Sequence, residues 1–222
     1  MLLLLFLIAI HGTIGDRDRN RECTCIENYL KAEKTNLSVS EAFEKYDITP
    51  KYLPDPPEYL LEGNLLSADV HLGNFVPPIR TGEPEIKYSK GKNNVYYTIF
   101  IIDIDGPGSS PSKSYIVSLN INVPKSENNL ILSGDSLVPL SAPMVNLGSG
   151  IHRIVGLLYE QKGRINPEKR ELYELARTRS INLSNFTKKY RLMDPVAGNF
   201  YRTELDHCEK AENEGLIDDV NE

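Results

Sequence analysis

Val95-Tyr-Tyr-Thr-Ile-Phe-Ile-Ile-Asp-Ile-Asp-Gly-Pro107 is the stretch on which the fold turns. Val95 to Ile102 are β-branched or aromatic throughout and apolar on both faces, which suits a strand in the middle of a packed sheet. It ends at Asp103, where two carboxylates and a Gly-Pro-Gly turn replace the apolar run. To its C-terminal side, Tyr115 to Val123 alternates Tyr115, Val117, Leu119, Ile121 and Val123 against Ser118, Asn120 and Asn122, so one face reads wetter than the other. A further apolar strand runs from Ile151 to Glu160. Pro195 to Leu205 reads as a late strand with Gly198-Asn199 as turn residues. Upstream, Leu65 to His71 is a first strand candidate.

Helical signals are few. Ser38-Val-Ser-Glu41 has the form of a capping box opening a short helix that runs to about Tyr46. Pro50, Pro54, Pro56 and Pro57 then enforce an extended linker. Two later helices are expected, from Pro167 (proline in its first turn) to about Thr178 and from Ser184 to Tyr190. Strands at this spacing, separated by Gly/Pro-rich connections, indicate a mainly β protein: an antiparallel sandwich with peripheral short helices.

The chain has 222 residues, 40% of them hydrophobic, enough to bury the core of one domain. Residues 1–15 read as a cleaved signal peptide, with the apolar run Met1 to Ile10 followed by Thr13-Ile14-Gly15, although no Lys or Arg precedes the run. An uncleaved anchor needs about 20 apolar residues, and this run breaks at His11-Gly12, so no transmembrane anchoring is expected. Residues 16–37 read as a flexible arm, 38–208 as the domain, and 209–222 as an acidic tail. That tail holds six acids and one lysine, which accounts for most of the net charge of −6. No basic footprint for nucleic acid is present.

Three cysteines in an oxidising compartment allow one disulfide. A Cys23–Cys25 bridge would be strained, so Cys23 or Cys25 is expected to pair with Cys208. Zinc is the rival for the Cys-x-Cys pair, without neighbouring ligands at the right spacing. Asn36, Asn182 and Asn185 each stand in a glycan acceptor pattern.

The chemistry concentrates in two places. Asp103 and Asp105 are two residues apart at a strand end, which on an extended chain turns both toward one side. The alternative is a turn in which these carboxylates bond local backbone; a metal site is a weaker alternative, because two acids and a distant His do not specify one. His152 follows the Gly-rich loop Gly148-Ser-Gly150, whose backbone can approach an anion closely. Beside acids its pKa would rise, making it a donor to a phosphate; the alternative is a core-edge His bonded to backbone. Arg153 is expected to face the other way, toward solvent or an acid. Gly134-Asp-Ser136-Leu matches a hydrolase tetrapeptide that would make Ser136 a nucleophile, but its context, mid-chain with no Asp-x-x-His downstream, is wrong for that role. Lys188-Lys-Tyr-Arg191 reads as a solvated helix end.

Three segments in order resemble the phosphatidylethanolamine-binding protein family over about residues 38 to 206. They are Tyr97 to Pro107; Gly148-Ser-Gly-Ile-His-Arg153 with the strand that follows to Gln161; and Lys188 to Tyr201, which contains Met193-Asp-Pro195. The resemblance implies a Greek-key β-sandwich of two antiparallel sheets. It also implies a small, non-catalytic cavity for phospholipid headgroups or phosphate-like anions, needing no cofactor. The cavity residues it carries over are Asp103, Asp105, Pro107, Tyr115, Pro143, Gly148, Gly150, His152 and Tyr201, with Ser141 to Gly150 as one rim.

This chain departs from the family pattern at two places. The connection after the Asp motif is shorter, and Lys113 and Tyr115 stand where the family places Trp-x-His. Ala142-Pro-Met-Val-Asn146 replaces Gly-x-Pro-Pro on the rim. A modified pocket in a secreted binder is therefore expected. The alternatives are a secreted protease inhibitor or signalling modulator acting on a protease or receptor by protein contact, and an esterase at Ser136.

Overall fold

A computed structural model describes residues 35–65, 68–78, 84–125 and 129–205. The expected signal peptide, nearly all of the arm, all three cysteines and the acidic tail lie outside these residues. The described elements begin with helix α1 (Val39–Lys45) and strands β1 (Tyr59–Leu60), β2 (Glu62–Leu65), β3 (Ala68–Val70), β4 (Asn74–Phe75) and β5 (Pro84–Lys87). Next come β6 (Tyr96–Asp103), β7 (Ser114–Pro124), a 3-10 turn (Leu130–Leu132), β8 (Asp135–Val138) and β9 (His152–Gln161). Helix α2 (Arg170–Thr178), β10 (Ser180–Ile181), α3 (Leu183–Tyr190) and β11 (Ala197–Thr203) complete the order.

The large sheet runs β1-β11-β9-β6-β7-β10, with β4 also on β11 and β8 on β7, and a second sheet runs β3-β2-β5. β6 is central, as its apolar faces require. Its Phe100 and Ile102 join a core with Phe43 of α1, Leu172 of α2 and Phe186 of α3. On the opposite face Tyr97, Ile99 and Ile101 pack with Ile86 of β5 and Leu61. The molecule thus has three layers, small sheet, large sheet and helices, and the helices close one core rather than decorate a sandwich. Phe100 meets Phe186 edge-on at 5.3 Å, and Phe43 meets Phe200 of β11 at 5.2 Å.

The capping box is formed as read: Ser38 Oγ accepts from the Glu41 amide while the Glu41 side chain reaches back. Five expectations are corrected. The large sheet is not wholly antiparallel, because β1 and β4 both pair with β11 in parallel. Leu65 to His71 is not one strand; β2 and β3 pair as antiparallel neighbours across it.

The wetter face of β7 is covered. Asn120 donates to the Ile131 carbonyl at 2.6 Å, and Asn122 binds Asp135, Gln161 and Ile165, so both are buried with their amides satisfied. Gly198-Asn199 lies within β11 instead of turning. A Cβ at Gly198 would come within 2.5 Å of Pro57, and Asn199 spends its amide on Leu61, Val70 and Leu72 backbone groups. Finally, α2 begins three residues after Pro167, because Asn166 Oδ1 accepts the Glu168 amide in a local turn at 2.9 Å.

Candidate functional site

Asp103 closes β6 and His152 opens β9, and the antiparallel register that sets Asp103 opposite Ile154 turns both onto the small-sheet face. Asp103 is 0% exposed and His152 2%. Neither could stay buried alone; they bond to each other, His152 Nδ1 to Asp103 Oδ2 at 2.7 Å. The other Asp103 oxygen accepts the Asp105 amide at 3.0 Å, and Gly106 folds over the carboxylate so closely that a Cβ there would lie 2.7 Å from Oδ2. That closeness is why the turn carries glycine.

The far nitrogen of His152 points at the Gly-rich loop. Nε2 lies 2.8 Å from Ser149 Oγ, and that hydroxyl in turn donates to the Asn146 carbonyl at 2.7 Å. A hydroxyl has one proton, so with that proton on Asn146, Nε2 must be the donor to Oγ. Nδ1 faces a carboxylate. The hydrogen bond to Asp103 raises the His152 pKa above its ordinary value, outweighing the burial that would lower it. His152 is accordingly a buried ring biased toward its protonated form, with its Nε2–H turned outward, toward the exposed loop residue Ser149.

Asp105 is not brought to this pair. β6 ends at Asp103, so the i, i+2 rule lapses, and the turn carries Asp105 to the opposite side of β9, where Arg153 projects. There Arg153 donates Nε and its backbone amide to Oδ2, at 2.7 and 3.0 Å, and Nη2 to Oδ1 at 2.7 Å. The guanidinium also donates to the Tyr46 carbonyl at 2.6 Å, tying α1 to the strand end. Arg153 has found the acid partner expected of it.

Tyr115 stands opposite Asp103 on β7, and Tyr201 opposite Ile154 on β11, which puts both on the same face as the pair. Burial pushes the Tyr201 hydroxyl well above the usual phenol range and the Asp103 charge adds to this, so it remains a donor at any physiological pH. Thr203, directly opposite His152, is 0% exposed, and its hydroxyl has no hydrogen-bond partner among the described residues. Tyr201, Pro143 and Ser141 also line an apolar cavity of about 50 Å³ between the sheets, with Leu61, Ile101 and Val117. Asp103 and His152 lie outside that lining.

Gly148 and Gly150 flank Ser149 with φ of +78° and +80°, which lets this turn close on His152. Pro107 is exposed beyond the Asp turn. Lys113 is also exposed; its backbone pairs with that of Ser110, making the short connection a tight turn. Ser136 lies on β8 opposite Asn120, five residues along β7 from the partner of Asp103, or roughly 17 Å at ~3.4 Å per residue. His152 cannot act as its base. Asn36 and Asn185 are exposed, while Asn182 is half-buried and caps α3 through the Asn185 amide.

Two residues escaped the sequence reading. Ser149 sits three positions before His152 inside the very glycine pair that drew notice, a usable signal; Thr203 had only its alternation with Tyr201. Among the described residues no three His, Cys, Asp or Glu gather where they could hold a metal, and no helix is long and apolar enough to cross a membrane.

Comparison with known proteins agrees with this fold. No family model matches the chain. Its curated relatives include "Putative odorant-binding protein A5" of Drosophila melanogaster, 25% identical over 182 residues, 79% of this chain and 85% of that protein. Similar solved structures include the phosphatidylethanolamine-binding protein of Plasmodium vivax, with a TM-score of 0.57 and 23% identity over 75% of this chain and 97% of that one. The Plasmodium falciparum phosphatidylethanolamine-binding protein has a TM-score of 0.57 and 18% identity over 78% of this chain and 100% of its own. The carboxypeptidase Y inhibitor, complexed with its cognate proteinase, gives 0.58 and 19% over 75% and 94%.

Proposed function

Starting from the phosphatidylethanolamine-binding protein fold that the chain adopts, we propose that it binds phospholipid headgroups or phosphate-like anions at the Asp103–His152 pair, without turnover. The carrying observation is the outward Nε2–H of a buried His152 whose other ring nitrogen is held by Asp103. A phosphate oxygen takes the place of Ser149 Oγ on that donor, so that an anionic acceptor replaces a neutral hydroxyl. The spare hydroxyl of Thr203 and the permanently protonated Tyr201 supply further donors on the same face. The ammonium of an ethanolamine headgroup finds acceptors in the carbonyls of the rim. In this reading Asp103 tunes His152 and Asp105 shapes the turn. The domain is secreted after loss of residues 1–15, stapled through Cys208, and glycosylated first at exposed Asn36.

Titration of phosphorylethanolamine into labelled protein tests this. The His152 ring and Gly148 to Gly150 amide signals move, and His152→Gln abolishes the movement. Unmoved signals in the wild-type protein end the proposal.

A second reading, secreted protease inhibition, is favoured by the similarity to the carboxypeptidase Y inhibitor. A protease panel run with wild type and His152→Gln separates the two, since inhibition by surface contact survives the substitution. The chain Asp103–His152–Ser149 also has the connectivity of a hydrolase triad. We assign it to binding, because a base must receive the serine proton and here that proton is held by Asn146 while His152 already carries its own. Labelling of Ser149 by a fluorophosphonate would reverse that assignment.

A further inference from the structure

The segment that delivers Ser149 to His152 has an unusual surface. From Ser136 to Ile151 no Asp, Glu, Lys or Arg occurs, in a chain of which a quarter is charged. Most of this segment is at the surface, where charge normally concentrates. Seven large apolar side chains are exposed among the described residues, and three of them, Met144 at 49%, Leu147 at 40% and Ile151 at 46%, fall within eight positions here. Grouped exposed apolar residues mark a contact surface.

The loop is also held in shape. Arg179 donates to Ser141 Oγ at 2.8 Å and to the Pro139 carbonyl at 3.0 Å, fixing its base. At its tip the Asn146 to Ser149 turn is closed by the Ser149 amide at 3.0 Å and by the Ser149 hydroxyl at 2.7 Å. The apolar side chains are thus presented on a fixed frame, in the same loop that brings Ser149 onto His152 Nε2.

Resting on the headgroup reading above, we propose that this loop is a lipid-surface contact. Met144, Leu147 and Ile151 enter the boundary between headgroups and acyl chains while His152 takes the phosphate of a lipid still in its bilayer. The physical reason is one of geometry. A phospholipid whose phosphate sits at His152 must leave its glycerol and acyl chains against the residues around that donor. A charged loop would have to be dehydrated there, whereas an uncharged apolar one gains by burial. A free anion draws no benefit from apolar neighbours, so their presence selects the bilayer as the source of the phosphate.

The test uses the wild-type protein, the triple variant Met144→Ser/Leu147→Ser/Ile151→Ser, and Leu132→Ser as a control, Leu132 being 75% exposed in the 3-10 turn outside this loop. Each is assayed for co-sedimentation with vesicles of equimolar phosphatidylethanolamine and phosphatidylcholine, and by NMR with soluble phosphorylethanolamine. Thermal melts confirm folding. The triple variant should lose vesicle binding by about a hundredfold, the scale expected for three half-exposed apolar side chains. Its soluble-headgroup shifts should persist, and the control should match wild type. If wild type ignores soluble phosphorylethanolamine, the headgroup reading itself fails. If it binds the soluble headgroup but not vesicles, or binds vesicles equally well after the triple substitution, the lipid-surface contact alone is overturned. The contact is equally overturned if the triple substitution abolishes inhibition of a protease while vesicle binding stands.

Discussion

Asp103 and Asp105 are two residues apart and meet opposite fates. Asp103 is sealed, with its side chain at 0% exposure against a partner that titrates; Asp105 keeps 25% exposure against a guanidinium that does not. Both carboxylates are stabilised by charge-assisted hydrogen bonds, yet only the first arrangement can respond to pH or to a ligand. The second is a fixed clamp between β9, the Asp turn and α1. Sensitivity therefore follows the chemistry of the partner more than the depth of the acid.

This contrast can be broken most severely at Asp103. Asp103→Ala leaves an imidazole buried without its acceptor and should cost about 3 kcal/mol, the lower part of the range for severing a buried pair. Urea unfolding reads the loss, and headgroup shifts should vanish with it. Asp105→Ala leaves a guanidinium that keeps 16% exposure and its bond to the Tyr46 carbonyl, so about 1–2 kcal/mol is expected. Headgroup binding should survive, and an equal loss of binding in both variants would erase the distinction.

A pH titration sharpens it next. His152 has a folded-state pKa above its ordinary value, so its contribution to stability is complete below that ordinary value, near 6.5, and is lost as pH rises through the folded value. Anion binding should fade over the same interval. In Asp105→Asn the NMR titration of His152 should keep most of its upward displacement, whereas in Asp103→Asn it should lose it. The smallest effect is expected at Ser149→Ala. Stability should change by less than about 0.5–1 kcal/mol, while phosphate affinity measured by calorimetry should rise, because the ligand no longer displaces a hydroxyl from Nε2.

Much of this was legible in sequence. The unbroken β-branched and aromatic run of β6 placed it at the centre, and His152 and Asp103 at the ends of apolar strands marked their joint mouth. What misled was local. The i, i+2 rule holds only while a strand continues, and Asp103 ends its own strand by accepting the Asp105 amide. Gly198-Asn199 read as a turn because those residue types favour turns, but the close approach of Pro57 and a satisfied Asn amide make the same pair serve a strand interior. The polar face of β7 looked wet because alternation cannot reveal a neighbour, here the 3-10 turn and its cap Ser133, that supplies carbonyls to Asn120.

The parallel pairings of β11 have a consequence for the birth of the molecule. β1 and β4 lie early in the chain, yet each finds its neighbour only in residues 197–203, and Phe43 rests on Phe200 of the same strand. On the ribosome, β2, β3 and β5, and then β6, β7 and β9, can pair as they emerge, while β1 and β4 wait for nearly the whole domain to be synthesised. Such long-range closure is slow, so α1, β1 and β4 are the described parts most in need of protection by chaperones until the final strand arrives.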